Sequence, residues 1–101
     1  MFDKAYICII ADPQIGHNTF EFDGRYGLPI VGGPNIYKIS TGKHSVLIKS
    51  GTGEEWTVDA NVGYGELLTI KVALSGENIC DVMYKVGSAP AGMGWGAMSL
   101  D

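Results

Sequence analysis

Charge is scarce in this sequence. Only 18% of its 101 residues are Asp, Glu, Lys or Arg, and the formal net charge is -4. The seven basic residues are scattered rather than clustered. A nucleic-acid reader shows a basic face, so that class is set aside, and a polybasic membrane contact falls with it. Long apolar runs are also missing. The longest, Tyr6-Ile-Cys-Ile-Ile-Ala11, falls far short of the roughly 20 residues a transmembrane helix needs, so no membrane insertion is expected. Met1-Phe-Asp-Lys4 lacks the basic region, apolar stretch and cleavage site of an export signal. The expectation is a cytoplasmic chain unless it was excised from an exported protein.

Cysteine is nearly absent. Cys8 and Cys80 stand far apart, each in an apolar strand-like run. Two buried free thiols are the first reading. A disulfide joining the first and last strands is the alternative, and closing so long a loop contributes roughly 4 kcal/mol. Two cysteines so far apart are not a zinc signature. No His-x-His, His-Glu-x-x-His, Cys-x-x-Cys or Gly-x-Ser-x-Gly pattern occurs. No cofactor or metal is expected. The two histidines, His17 and His44, make a site only if the fold brings them together. His17 reads as solvated, and His44 as a core or rim histidine bonded to backbone.

No apolar stripe of helical period runs to a useful length. Extended, alternating runs separated by glycine-marked turns are found instead. Ala5 to Ala11 is nearly continuously apolar, as a central strand covered on both sides would be. Thr19 to Phe22 and Arg25 to Leu28 flank Asp23-Gly24, a strong hairpin signal. Gly27 and Pro29 make the return an edge strand. Asn35 to Ser40 and Lys43 to Ser50 meet at Thr41-Gly42, read as a hairpin turn. His44, Val46 and Ile48 are assigned inward. Trp56, Val58, Ala60 and Val62 are assigned to the core in the next run, with Thr57, Asp59 and Asn61 facing water. Leu68, Ile70, Val72 and Leu74 are assigned to the core in the run after it, and Cys80, Val82, Tyr84 and Val86 inward in the last strand, Ile79 to Val86.

This pattern predicts an all-β domain over residues 1–86, an immunoglobulin-like β-sandwich of about seven or eight antiparallel strands. A small β-barrel is the alternative. Residues 87–101 form a tail rich in Gly, Ala and Met, uncharged until Asp101. It holds Met93, Trp95, Met98 and Leu100, heavy for a solvated segment.

Two local imitations of nucleotide loops fail. Thr41-Gly42-Lys43-His44 has Tyr37 where a phosphate loop needs glycine, and it opens a strand rather than a helix. Gly92-Met-Gly-Trp-Gly96 lacks the third-glycine spacing and the βα unit of a dinucleotide fingerprint.

Gly42-Lys-His-Ser-Val-Leu-Ile48, followed by Trp56-Thr-Val-Asp59 and Gly65-Glu-Leu-Leu-Thr-Ile-Lys-Val72, resembles the PEGA-type domain, a small β-sandwich of bacterial surface and envelope proteins. The resemblance covers roughly a third of the chain. The Pro-Glu-Gly-Ala motif that names the family is absent. The resemblance implies a structural or interaction module with a packing role for His44, and carries over no catalytic residue.

The expected function is therefore a non-catalytic interaction or structural module. It would bind a protein partner or a second copy of itself, through Tyr26, Tyr64, Met93 and Trp95. Tyr and Trp are favoured at interfaces. A carbohydrate-binding module using Tyr26, Tyr64 and either Trp56 or Trp95 is the alternative. A histidine-based metal protein or small enzyme ranks third.

Overall fold

The near-continuous apolarity of the first run decides the architecture, because such a strand is stable only with both faces and both edges covered. In the computed structural model, which describes residues 4–12 and 17–101, β1 (Ala5–Asp12) is the middle strand of a five-stranded sheet. On one side it pairs in parallel with β7 (Glu66–Ser75) and on the other antiparallel with β4 (Asn35–Ile39). β8 (Asn78–Ser88) lies outside β7, and β9 (Met98–Ser99) lies outside β4. The second sheet has the order β3 (Arg25–Pro29), β2 (Thr19–Phe22), β5 (Gly42–Lys49), β6 (Glu55–Val62). The loop expected over residues 14–18 lies largely outside the described residues. Among those described there is no helix long and apolar enough to cross a membrane.

The two sheets close on a core that follows strand alternation. Ile7 and Ile9 of β1, Leu68, Ile70 and Val72 of β7, and Ile39 of β4 meet Phe20, Phe22, Val46, Ile48, Val58 and Val62 of the other sheet. Each such side chain contributes about 1.5–3 kcal/mol by leaving water. Phe20 packs against Tyr37 across the sheets, with ring centroids 5.5 Å apart. Asn35, also buried, holds the loop before β4: its amide donates to the Ile9 and Val31 carbonyls at 3.0 Å, and its side-chain oxygen accepts from Val31 N–H at 3.1 Å.

Asp23 (φ 51°) and Gly24 (φ 75°) form the expected hairpin turn, both with positive φ. β3 is an edge strand, as Gly27 and Pro29 suggested. Other expectations need correction. Thr41-Gly42 does not close a hairpin: β4 and β5 belong to different sheets, so the chain changes layer there. A short turn reports a reversal of direction, not the strand's hydrogen-bonding partner.

Cys80, Tyr84 and Val86, expected in the core, are also exposed. Leu74 pairs with Ile79 but Ala73 with Asp81, so Cys80 is the extra residue of a bulge and is exposed. Tyr84 and Val86 lie opposite buried Ile70 and Leu68 yet are solvent-exposed, because β8 is the outermost of five strands and faces a sheet of four. Both cysteines are free. They stand on strands either side of β7, Cys8 level with Thr69 and Cys80 with the bulge at Ala73 and Leu74, so they are farther apart than the roughly 9.5 Å of lateral strand spacing alone and beyond the roughly 7 Å that a disulfide bridges.

The chain beyond Val86 belongs to this sandwich. β8 continues to Ser88, residues 89–97 cross by turns, and β9 adds in parallel to the β4 edge. Leu100 N–H donates to the Lys38 carbonyl at 2.9 Å, and its side chain is part of the core. Leu100→Ala is expected to lower unfolding free energy by about 2–5 kcal/mol, measured by urea denaturation. A loss below about 0.5 kcal/mol would mean that the C-terminus does not anchor in the core.

Candidate functional site

Sheet order brings four segments to one end of the sandwich: the Asp23-Gly24 tip, the Ser40-Thr41 crossover, the Gly63–Gly65 turn and the 89–97 crossing. They are tied by main-chain bonds. Gly65 N–H donates to the Lys4 carbonyl at 2.7 Å, and Ala89 N–H to the Gly65 carbonyl at 2.8 Å. Asp101 accepts from Ser40 N–H and lies 3.7 Å from the Arg25 guanidinium.

His44 braces this end. Its buried ring packs on Phe22 at 4.8 Å between centroids. Nδ1 lies 2.7 Å from Asp23 Oδ2, and Nε2 lies 2.7 Å from the Ser40 carbonyl. A carbonyl only accepts, so Nε2 donates to it; a ring protonated at both nitrogens satisfies both contacts. Asp23 Oδ1 also accepts from Ser45 N–H at 2.8 Å. The bracket thus joins hairpin tip, layer change and core. An Asp–His pair of this kind serves hydrolysis when the far nitrogen meets a nucleophilic hydroxyl. Here a main-chain carbonyl occupies that nitrogen.

His17 lies beside Gly51 at the opposite end of β5, about 20 Å away by strand rise. The two histidines share no site, and no group of three metal-ligating side chains forms among the described residues.

A shallow open depression of about 490 Å³ adjoins the bracket, with Asp23, Lys43, Asp59 and Asn61 among its walls. None of the aromatic candidates lines it. Farther along the same sheet, Lys49 bonds to Glu21 at 2.9 Å. That hydrogen bond and the Glu21 charge hold its ammonium pKa above lysine's usual range, with Glu55 adding at 3.8 Å. Burial raises the Cys8 thiol pKa, which makes it a poor nucleophile.

Three of the four predicted binding residues are well exposed, and all four lie on segments at the bracketed end. Trp95 is 93% exposed, Tyr64 75% and Tyr26 49%, while Met93 is partly buried in the crossing. The three rings stand on separate segments and do not stack on one another. Trp95 is held out by a fixed platform. A Cβ on Gly94 (φ 80°) would meet the Tyr6 ring at 2.5 Å, so only glycine lets the crossing lie against β1 there. Ala97 N–H donates to the Gly94 carbonyl at 2.8 Å and closes that turn. Trp56, expected in the core, is 37% exposed at the other end of β6, because β6 is the edge strand of its sheet; it is the least exposed of the aromatic candidates. Sequence reasoning missed Met83 and Tyr84, exposed on β8; the signal lay in their place on a long strand with no neighbour after it.

Tyr26 carries a conformational cost. It has φ +67° at the bulge where β3 holds one residue more than β2, and the left-handed region costs an L-residue roughly 1–2 kcal/mol. The Arg25 guanidinium lies 5.5 Å from its ring centroid, which offsets about 0.5–1 kcal/mol of that. Strain of this kind gathers at working surfaces.

A comparison with protein-family models, curated proteins and solved structures finds no match. The functional reading therefore rests on this chain's own geometry. Tyr26→Gly is expected to leave stability unchanged or raise it by up to about 1 kcal/mol, measured by thermal and urea unfolding. A clear loss would show that the ring is needed for folding.

Proposed function

We propose that the chain is a non-catalytic interaction module that docks a protein partner on the bracketed end of its sandwich. The observation that carries this is Trp95: a large apolar ring left in water on a segment that glycine turns, β9 and buried Leu100 hold in place. A tryptophan buries about 150–250 Å², worth roughly 4–6 kcal/mol of transfer free energy at about 25 cal/mol/Å² before the costs of association. Presentation on a fixed platform keeps the ordering cost low. Tyr64 and Tyr26 flank the same end and extend the contact. Such aromatic anchors dominate binding energy at protein interfaces.

The non-catalytic reading is supported by the His44 bracket, whose ring nitrogens are both engaged by acceptors. The PEGA-type resemblance points the same way, toward an interaction module. The immunoglobulin-like kinship is part of this proposal; two facing sheets with layer-changing connections speak for it, and the parallel β1–β7 pair is a feature it must accommodate. A carbohydrate partner fits less well, because none of the exposed rings lines the open depression beside the bracket, where a sugar would be held.

Trp95→Ala is the test. The immobilised chain and the variant are challenged with an extract of source cells, and a glycan panel is run in parallel. Proteins retained by the native chain should bind the variant at least about 30-fold more weakly. Equal retention by both chains, or Trp95-dependent binding to glycans, overturns the proposal.

A further inference from the structure

β8 is the long uncovered edge of the five-stranded sheet. No described strand pairs with its outer side. It contains no proline, and Met83 (56% exposed) and Tyr84 (53%) project from it into water. Natural edges of this length are blunted, or they pair. The other edges here are blunted: β9 is two residues long, and β3 is short, bulged and ends at Pro29. β6 is long, but its charges are Glu55 and Asp59, so pairing it with a copy of itself gathers like charge with no base to answer it.

β8 carries one charge of each sign, Asp81 and Lys85, on the same outward face with Met83 between them. We infer that β8 is the dimerisation edge of this protein, pairing antiparallel with β8 of a second copy about a two-fold axis at Met83.

In that register each Asp81 faces the second copy's Lys85, and each Lys85 faces an Asp81. Met83 faces Met83, and on the inner face Val82 faces Tyr84. Opposed charges and aromatic–β-branched neighbours are the favourable cross-strand pairs. Moving the axis off Met83 sets Asp81 and Lys85 out of line. The main chain is compatible with it. Val82 N–H is taken by the Asp81 carboxylate at 2.9 Å, so this strand has a donor satisfied by its own side chain. Pairing gives that donor the Tyr84 carbonyl across the axis and frees Asp81 for Lys85. The Cys80 bulge lies outside the five residues, 81–85, that form the centre of the ladder. Two sheets of five strands would join into one of ten. This inference is independent of the Trp95 surface, which lies on a different part of the chain.

The test is sedimentation equilibrium of the full chain and its variants, with circular dichroism to confirm folding. The native chain should show a dimer that dissociates on dilution. Lys85→Asp should weaken it about tenfold or more, and the charge-swapped Asp81→Lys, Lys85→Asp chain should restore it. In a Cys80→Ser background, Met83→Cys should form a disulfide-linked dimer under mild oxidation, and Val86→Cys should not. Trp95→Ala should leave the dimer unchanged. A native chain that stays monomeric overturns the inference. So does a dimer that is indifferent to Lys85→Asp or is lost with Trp95→Ala, and so does equal cross-linking at residues 83 and 86.

Discussion

Everything in this fold depends on β1 having a strand on each side. Its partners come from distant parts of the sequence, β4 antiparallel and β7 parallel. A parallel neighbour cannot be reached by a tight turn. The intervening chain must leave the sheet and return, and it does so by building the opposite layer, β5 and β6. That detour supplies the second half of the core. It also explains why short turns at 40–41 and 63–65 change layers instead of closing hairpins.

The same constraint sets the edges. With β7, β1 and β4 in the middle, β8 lies at one rim. The β4 rim is covered only if the chain comes back across the end of the sandwich. Residues 89–97 make that crossing, and their closely spaced glycines let it turn tightly against Tyr6. Trp95 stands on the crossing. The aromatic surface is thus a consequence of how the second edge is covered: the segment that covers β4 displays the ring. The His44 bracket steadies the neighbouring tip and crossover, so the surface is assembled from segments that the core already fixes.

Much of this was legible wherever one physical rule acts alone. Strict alternation marked the buried sides of β5 and β7. Asp23-Gly24 marked its hairpin because both residues need positive φ, and Gly27 with Pro29 marked an edge. Legibility ended where partners are chosen at a distance. Periodicity says which side of a strand is apolar, but not how many strands lie opposite, so Tyr84 and Val86 looked like core. The Cys80 bulge shifts one strand by a residue and leaves no compositional trace. Tyr26, Tyr64 and Trp95 could be picked out as aromatic rings beside glycines, on an edge strand, in a Gly-Tyr-Gly segment and in the C-terminal tail. Their gathering at one end, and the matched charges on the β8 rim, required the sheet order.

The central claim is that the C-terminal segment is an integral, anchored part of the sandwich, on which Trp95 is presented. The most direct measurement is native-state hydrogen exchange at the Leu100 amide, which donates to the Lys38 carbonyl. The account predicts protection comparable to the amides of β1 and β7. Exchange at the rate of an unstructured peptide would contradict it.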